Sequence, residues 1–326
     1  MRTFDHIDVY SIAEACTTLR EYQGRARLNA GGSDLLTVLK GDFLADYPEA
    51  VINLKTISGM DYIREDGEYL RIGTLTRLTD LVSSPLLKEK YPVLSEAAYT
   101  VATPQIRNVA TLGGNLCQDT RCWYYRYPRS IGGPVQCLRK GSGPCLAIKG
   151  DNRYHAIMGG KKCFAVCPSD MAVALAALDG KVIIVGPEGE RRVEVTDFYH
   201  PTGNELAKDE VVREIEIPIK RTPTQQSFRK FTLRKPIDFA IVSSATVITV
   251  AQGICTDARI VLGAVAPAPV RAKAAEELLI GKPITEETDT AAAEKALVGA
   301  KPLSKNEYKI QIAKTLVKQA ILGVTD

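Results

Sequence analysis

Helical and strand periodicities alternate along the first part of the chain. Apolar positions recur every three or four residues over 12–22, after a capping box at 11–14. A short β-like segment at 25–28 leads into a glycine turn, and a helical segment at 35–40 and a strand at 50–54 follow. This order predicts a small α/β unit with the glycine turn at its centre.

A second α/β unit follows the first. Its pattern predicts a strand at 69–74, a helical stretch over 78–100 and a second glycine turn at 111–115. After a long stretch without periodicity, a helix at 169–178 and a strand at 181–185 are predicted. A structureless stretch of that length inside a domain indicates either a functional or a cross-linked segment.

The last third of the chain places strands before helices. The pattern predicts three strands, at 228–234, 240–250 and 258–264. Three helices are predicted after them, at 270–280, 288–298 and 307–322. Such a βββααα order is typical of a separate α+β domain. The sequence therefore predicts three units, at 1–57, 58–221 and 222–326.

Composition narrows the class of protein without identifying it. The 326 residues are 45% hydrophobic and 25% charged, as in ordinary globular proteins. A net charge of +4 is too small to indicate binding to nucleic acid or to a membrane surface. Arg2, Asp5 and Asp8 interrupt any apolar targeting segment, and the apolar stretch at 240–250 is too short to span a bilayer. We therefore expect a cytoplasmic protein with no membrane span.

Cysteines are concentrated in the aperiodic stretch. The eight cysteines are Cys16, Cys117, Cys122, Cys137, Cys145, Cys163, Cys167 and Cys255. Reduced thiols clustered between 117 and 167 favour metal binding over disulfides. No Cys-x2-Cys pair occurs, so zinc-ribbon and ferredoxin templates fail, although thiolates suit iron–sulfur clusters and zinc alike.

Basic residues surround these cysteines. Residues 121–163 contain nine Arg or Lys against one acid, Asp151, which leaves a local charge of +8. A four-thiolate [4Fe–4S] cluster is an anion, and a basic shell offsets its charge. The alternatives for this stretch are a solvated basic loop or a docking patch for an acidic partner.

The two glycine turns predict a phosphate-binding site. Paired glycines let a ligand approach bare backbone, and successive free N–H groups form a nest for phosphate oxygens. Neither the dinucleotide spacing Gly-x-Gly-x-x-Gly nor a P-loop is present. One such turn alone is as typical of an ordinary tight turn, but two together favour a dinucleotide pyrophosphate held from two sides.

The segments that contain these turns resemble a known family. Ala-Gly-Gly-Ser-Asp-Leu at 30–35 and the thirteen residues at 103–115 are similar to the two FAD pyrophosphate motifs of the medium subunits of xanthine dehydrogenase and carbon monoxide dehydrogenase. The similarity extends through Asn-Arg-Tyr-His at 152–155, Cys-Pro-Ser-Asp at 167–170 and the segment 234–240. The resemblance implies an α+β protein with a vanillyl-alcohol-oxidase-type FAD-binding domain of two α/β subdomains and a C-terminal βββααα domain.

The resemblance also implies which residues bind FAD. These are Asn29, Ala30, Gly31, Gly32, Ser33, Asp34, Leu35, Thr111, Leu112, Gly113, Gly114, Asn115, Asp170 and Lys230. Arg229 is a close alternative to Lys230. Asp170 either contacts the FAD edge or belongs to the N-cap region of the helix that follows it.

The cysteine-rich insert, residues 117–167, carries a second resemblance. The run Asn-Leu-Cys-Gln-Asp-Thr-Arg-Cys at 115–122 is similar to the β subunit of 4-hydroxybenzoyl-CoA reductase and to FAD subunits of some bacterial aldehyde oxidoreductases, which hold an extra [4Fe–4S] cluster. That resemblance implies the ligands Cys122, Cys137, Cys145 and Cys163. Cys167 is the alternative fourth ligand, Cys117 lies near enough to compete, and His155 is expected to be structural or flavin-adjacent.

Taken together, the resemblance implies an electron-transfer subunit. Its partners would be a large molybdopterin-binding subunit, a small subunit with two [2Fe–2S] clusters and an external electron donor or acceptor. Electrons could leave through FAD, as in hydroxylation, or enter through it, as in reductive dehydroxylation. The competing hypotheses are a free-standing flavin oxidase of the same fold and a zinc-stabilised binding module.

Overall fold

The computed structural model describes residues 1–235 and 237–323, and within these ranges the strands form four sheets. Residues 236 and 324–326 lie outside the description, so the segment 234–240 and the unit ending at 326 are described in part. Within the same ranges, no helix is both long and apolar enough to cross a membrane.

The first sheet is parallel and carries the first glycine turn. Its elements are β1 (Asp5–Asp8), α1 (Ile12–Glu21), β2 (Ala26–Asn29), α2 (Leu35–Gly41) and β3 (Ala50–Asn53), and the strand order is β1-β3-β2. Helix α1 begins where the capping box predicts, because the Ser11 side chain accepts a hydrogen bond from the Glu14 N–H. Ala15, Cys16 and Leu19 of α1 are buried in the core beneath the sheet.

The second sheet is antiparallel, with the order β4-β5-β10-β6-β7. Its strands are β4 (Ile63–Asp66), β5 (Tyr69–Gly73), β6 (Lys181–Gly186), β7 (Gly189–Glu194) and β10 (Val211–Pro218). The two-stranded sheet consists of β8 (Tyr199–His200) and β9 (Gly203–Asn204). The helices of this unit are α3 (Leu78–Ser83), α4 (Pro85–Lys90), α5 (Pro92–Tyr99), α6 (Pro104–Arg107), α7 (Leu112–Cys117) and α8 (Asp170–Ala177).

The helical stretch predicted over 78–100 is three helices rather than one. Pro85 and Pro92 each stand at the start of a new helix. Proline has no backbone N–H to donate within a helix, so it ends the preceding helix and is tolerated at the first turn of the next. The Ser84 side chain then caps α4 by accepting a hydrogen bond from the Leu87 N–H.

The C-terminal unit has the predicted strands and helices, with one short strand added. Its elements are β11 (Gln225–Phe231), β12 (Val242–Ala251), β13 (Ile254–Gly263), β14 (Val270–Arg271), α9 (Lys273–Leu279), α10 (Glu286–Lys295) and α11 (Tyr308–Leu322). The antiparallel order is β11-β12-β13-β14. All eight residues of α8 are buried, and α8 packs on β12 and β13. This packing joins the C-terminal sheet to the second unit.

One buried carboxylate of the C-terminal unit makes stability depend on pH. Asp289 on α10 is fully buried, and neither of its carboxylate oxygens has a hydrogen-bond partner among the described residues. Burial raises the pKa of Asp289 to about 6. Since an unfolded Asp has a pKa of about 4, the folded state loses stability as pH rises from about 4 through 6.

We expect Asp289→Asn to raise the free energy of unfolding by about 2 kcal/mol at pH 8, because a neutral side chain removes the cost of a buried charge. The gain should shrink towards zero as the pH approaches 4. Thermal unfolding at a series of pH values, with FAD in fixed excess, measures it. Glu287→Gln on the exposed face of the same helix is the matched control and should change stability by less than about 0.5 kcal/mol. If the free energy of unfolding depended on pH equally in Asp289→Asn and the parent, Asp289 would not be the source of that dependence.

Candidate functional site

The two glycine motifs touch each other. A Cβ built on Gly31 would lie 1.9 Å from the carbonyl oxygen of Val109, which belongs to the second motif and lies just before its glycine turn. A glycine is therefore required at position 31. Gly32 has φ +71°, a conformation that glycine adopts at little cost. A Cβ on Gly113 would lie 2.7 Å from Thr74 Cβ. The first turn is thus packed directly against the chain that leads into the second.

The first motif, but not the second, offers free backbone N–H groups. The N–H groups of residues 31–34 have no hydrogen-bond partner within the described part of the chain. In the second motif, the Leu112 and Gly113 N–H groups donate to Thr76 and Thr74 carbonyls, and the Gly114 N–H donates to the Thr111 side chain. The free N–H groups that a phosphate nest requires are therefore available at the first turn and not at the second. The second motif is the capped beginning of α7.

Asp34 connects the first motif to the insert. One oxygen of its carboxylate accepts a hydrogen bond from the Asp119 N–H at 2.9 Å. The other lies 2.8 Å from both Arg121 Nη2 and Arg126 Nη2. Side chains of the insert therefore hold the glycine turn in place. In the sequence, Arg121 and Arg126 are visible only as part of the local positive charge, which is the signal that points to them.

A cleft of three neighbouring cavities runs past both motifs. The cavities have volumes of about 180, 450 and 550 Å³, and Pro168 lines all three, so we treat them as compartments of one cofactor cleft. The 180 Å³ compartment is lined by residues from all three units, including Ser33, Asp34, Gly114, Asn115, Asp170 and Lys230.

The remaining residues expected to bind FAD are distributed around this cleft. Ala30 and Gly113 line the 450 Å³ compartment. The residues that line none of the three compartments are Asn29, Gly31, Gly32, Leu35, Thr111 and Leu112. Several of these shape the backbone instead, since Gly31 permits the contact between the motifs and Thr111 caps α7.

Asp170 and Lys230 form a buried ion pair in the wall of the cleft. Their side chains are 6% and 5% exposed, with Lys230 Nζ 2.7 Å from Asp170 Oδ2. Lys230 also donates to the Thr100 carbonyl at 2.8 Å. Asp170 is the first residue of α8, and Ser169 is its N-cap. Arg229, the alternative to Lys230, points to the opposite side, because its guanidinium lies against Gly323 at the end of α11.

We expect Lys230→Met to lower the free energy of unfolding by about 3 kcal/mol, because it leaves the Asp170 charge buried without a partner. The double variant Lys230→Met/Asp170→Leu should recover most of that loss. Urea unfolding followed by circular dichroism at fixed FAD measures both. Arg229→Met is the control on the neighbouring, exposed position of β11, with an expected change below about 0.5 kcal/mol. Equal losses of unfolding free energy in the single and double variants would refute the ion pair between Asp170 and Lys230.

Four cysteines of the insert line one small cavity. The cavity is bounded by Cys122, Cys137, Cys145 and Cys163, together with Tyr124, Tyr125, Leu138, Arg139, Leu146 and Ala165. We call it the thiol cavity. Cys117 and Cys167 line the 450 Å³ compartment of the cofactor cleft instead. The thiol cavity is thus lined by the four cysteines that the resemblance implied and by neither competitor, although Cys122 also lines the 550 Å³ compartment beside Cys167.

Basic side chains lie close to the thiols of the thiol cavity. Burial raises the pKa of the Cys122 thiol to about 11. Burial lowers the pKa of Lys140, and the nearby Cys137 and Cys122 oppose that shift. Lys140 Nζ and Arg139 Nε are buried without a hydrogen-bond partner in the described ranges. An anion between the thiols would satisfy these donors.

The described side chains do not form a site for a single metal ion. No group of three or more His, Cys, Asp or Glu within the described ranges is arranged to hold one ion. A zinc ion draws four ligands to about 2 Å from one point, and no such convergence is present.

His155 lies between the thiol cavity and the cofactor cleft. Its Nε2 is 3.2 Å from Cys122 Sγ, and the ring also lines the 550 Å³ compartment. The Trp123 and Tyr124 rings lie 5.9 and 6.0 Å away, measured between ring centroids. Burial lowers the pKa of His155 to about 4, so the imidazole is neutral. The contact with Cys122 could not be read from the sequence, where 33 residues separate the two.

Comparison with known proteins matches the whole chain. Residues 2–220 match the model of the FAD binding domain in molybdopterin dehydrogenase, and residues 226–324 match that of the CO dehydrogenase flavoprotein C-terminal domain. The chain is 34% identical over 323 residues to the aldehyde oxidoreductase FAD-binding subunit PaoB of Escherichia coli (strain K12), covering 96% of each chain. It is 29% identical to the carbon monoxide dehydrogenase medium chain of Hydrogenophaga pseudoflava, covering 98% of this chain and 96% of that one.

Solved structures share the fold. A structure of carbon monoxide dehydrogenase from Hydrogenophaga pseudoflava that lacks the Mo-pyranopterin moiety superposes with a TM-score of 0.80 and 28% identity, covering 99% of this chain and 98% of that chain. Quinoline 2-oxidoreductase from Pseudomonas putida 86 superposes with a TM-score of 0.77 and 26% identity, covering 99% and 97%. The mixed arrangement of helices and strands described above is thus shared along the full length of these chains.

Proposed function

This chain belongs to the FAD-binding medium subunits of the xanthine dehydrogenase and carbon monoxide dehydrogenase family, and on that premise we propose that it is an electron-transfer subunit carrying both FAD and a [4Fe–4S] cluster. The observation that supports the cluster is the grouping of Cys122, Cys137, Cys145 and Cys163 around one cavity. FAD, when bound, exchanges electrons in pairs as hydride or one at a time, and the protein positions it and sets its potential.

For FAD, the proposed binding residues are those around the cofactor cleft. The free N–H groups of residues 31–34 would hold pyrophosphate oxygens, and Ser33 and Asp34 of this turn line the 180 Å³ compartment together with Gly114 and Asn115. Asp170 and Lys230 would lie beside the cofactor as a fixed ion pair. In this proposal 1–57 and 58–221 are two subdomains of a vanillyl-alcohol-oxidase-type FAD-binding domain, and 222–326 is the C-terminal domain.

For the cluster, the proposal rests on the chemistry of the residues around the thiol cavity and not on the size of the cavity. A [4Fe–4S] cluster takes one thiolate on each of four irons, so its ligands surround a volume and need not converge on one point. The buried Lys140 and Arg139 donors suit its negative charge. The cavity itself is small, about 20 Å³, so the four thiols would have to spread as a cluster enters. Cys163 is the proposed fourth ligand because Cys167 lines the cofactor cleft instead.

For the complex, we propose the arrangement typical of the family. A large partner subunit would hold the molybdopterin site where substrate reacts, and a small partner with two [2Fe–2S] clusters would connect it to FAD. An external carrier would donate or accept electrons. The extra cluster favours a relative of 4-hydroxybenzoyl-CoA reductase or of an aldehyde oxidoreductase, working in the cytoplasm. The Escherichia coli relative that is 34% identical to this chain is an aldehyde oxidoreductase FAD-binding subunit.

One observation favours a second candidate function. The 550 Å³ compartment beside the proposed FAD site is large enough for a small substrate, as a free-standing flavin oxidase would require. Such an oxidase would reduce its own flavin when mixed with substrate in the absence of any partner chain. The electron-transfer proposal expects no such reduction.

The test of the proposal is the cofactor content of the anaerobically purified chain. Flavin, iron, acid-labile sulfide and zinc are assayed on one sample together with an absorption spectrum. About one FAD with about four iron and four sulfide per chain is the expected result. FAD without iron would refute the cluster and leave the family assignment intact. A colourless zinc protein would refute both parts and favour a zinc-stabilised binding module.

A further inference from the structure

The backbone of His155 is fixed by the C-terminal domain. Its carbonyl oxygen accepts a hydrogen bond from Asn306 Nδ2 at 3.1 Å and another from Lys309 Nζ at 3.1 Å. Lys309 is fully buried on α11, and its ammonium also donates to the Ala264 carbonyl. Asn306 is fully buried as well and donates a second bond to the Ala156 carbonyl. Two buried side chains therefore fix the position from which the imidazole extends.

The neighbouring residues of the segment are held in the same way. Asn152 is fully buried, and its side chain donates to the Ala147 carbonyl at 3.0 Å and to Ser304 Oγ at 3.1 Å. The Lys305 N–H donates to Asn152 Oδ1 at 2.9 Å. The segment from 152 to 155 is thus anchored on both sides, and the Trp123 and Tyr124 rings lie beside the imidazole.

The surroundings of the ring determine which nitrogen carries the proton. Nδ1 is buried and has no hydrogen-bond partner within the described ranges, whereas Nε2 lies 3.2 Å from Cys122 Sγ. A metal-bound cysteine sulfur is a thiolate and can only accept. The proton therefore belongs on Nε2, where it has an acceptor, because a buried N–H without one is costly.

We propose that His155 raises the reduction potential of the [4Fe–4S] cluster by donating its Nε2–H to Cys122 Sγ, with Asn306 and Lys309 as positioning residues; this inference rests on the proposed function. Hydrogen bonds to ligand sulfurs are one of the features that set the potential of a cluster. The reduced cluster carries one more negative charge, so a donor stabilises it more than the oxidised cluster. The C-terminal domain would thereby influence the difference in potential between cluster and FAD.

The experiment compares midpoint potentials in the full chain. His155→Phe keeps an aromatic ring but removes the donor, His155→Gln keeps an amide donor, and Lys309→Met loosens the backbone. Tyr308→Phe is the matched control, because it removes a bond to the adjacent Arg153 carbonyl and leaves His155 untouched. Iron and sulfide are assayed in each variant, and an anaerobic redox titration monitored by electron paramagnetic resonance gives the potential of the cluster.

We expect all variants to contain iron and sulfide at the parent level. His155→Phe should shift the midpoint potential of the cluster downward, and Lys309→Met should shift it downward by less. The potential of His155→Gln should lie between those of His155→Phe and the parent. Tyr308→Phe should leave it unchanged. An unchanged potential in His155→Phe with full iron content would overturn this inference and leave the proposed function standing.

Three other outcomes would overturn it in different ways. Loss of iron in His155→Phe, with iron retained in Cys163→Ser, would make His155 a ligand rather than a hydrogen-bond donor. A parent chain that contains FAD but no iron or sulfide would refute the cluster and this inference together. Equal downward shifts in His155→Phe and Tyr308→Phe would indicate general loosening of the segment instead of a lost hydrogen bond.

Discussion

Cys122→Ser removes the iron and acid-labile sulfide from the purified chain, while about one FAD per chain remains: this is the largest effect that we expect from a single substitution. Cys122 is one of the four thiols around the thiol cavity, and a serine oxygen is a poor substitute for a soft thiolate ligand. FAD should remain because Cys122 lines neither the 180 Å³ nor the 450 Å³ compartment, where the glycine motifs lie. Iron, sulfide and flavin assays on anaerobically purified protein measure the outcome.

Two matched cysteine controls sharpen this test. Cys117→Ser changes a thiol five residues away that lines the cofactor cleft, and it should keep its iron. Cys163→Ser and Cys167→Ser form a second pair, in which we expect the first to lose iron and the second to keep it. Unchanged iron in Cys122→Ser, or loss of iron in Cys167→Ser alone, would contradict the ligand assignment.

Gly31→Val should abolish FAD binding, with at least a hundredfold loss of affinity, which corresponds to about 3 kcal/mol. Even a Cβ would lie 1.9 Å from the Val109 carbonyl oxygen, so the first glycine turn must move away from the second motif. That movement displaces the free N–H groups of residues 31–34, on which the pyrophosphate would rest. Fluorescence titration of the FAD-depleted chain with FAD measures the affinity.

The control for Gly31→Val separates a local effect from misfolding. Gly281, unlike Gly31, has a positive φ, of +82°, but a Cβ there would meet nothing within 4 Å. Gly281→Ala should therefore cost about 1 kcal/mol of stability and leave FAD affinity unchanged. Circular dichroism and iron content confirm that Gly31→Val remains folded. FAD binding with parental affinity in a folded Gly31→Val would rule out the proposed phosphate site.

The sequence predicted elements well where the apolar pattern is simple. Strands β2, β3, β5 and β6 and helices α1, α2 and α8 lie within about two residues of their predicted positions. Strand β10 was not predicted, although Glu214 and Glu216 alternate with Ile215 and Ile217 as in a strand with one polar face. The burial of that polar face could not be read from the sequence. Glu214 and Glu216 are both buried, and Arg71 pairs with both.

The sequence predicts which kinds of ligand the candidate site would bind, but not how its residues are arranged in space. Paired glycines and clustered thiols point to a phosphate and a metal cluster because few other ligands need those residues. Spacing in the insert does not reveal which four of its six cysteines line one cavity. That grouping depends on how the insert folds back on itself through short 3-10 helices at Arg129–Ile131, Leu138–Lys140 and Leu146–Ile148. The contact between His155 and Cys122 depends on the C-terminal domain as well.

The role of Asp34 limits how this chain could be re-engineered. Its carboxylate is held entirely by groups from the start of the insert, namely the Asp119 N–H and the guanidinium groups of Arg121 and Arg126. Excising the insert to obtain a simpler, cluster-free flavoprotein would leave that carboxylate mostly buried and without counter-charge. A successful deletion would need a compensating change at Asp34. Conversely, grafting the insert onto a cluster-free relative would need a carboxylate at the position that matches Asp34, to accept the hydrogen bonds of the insert.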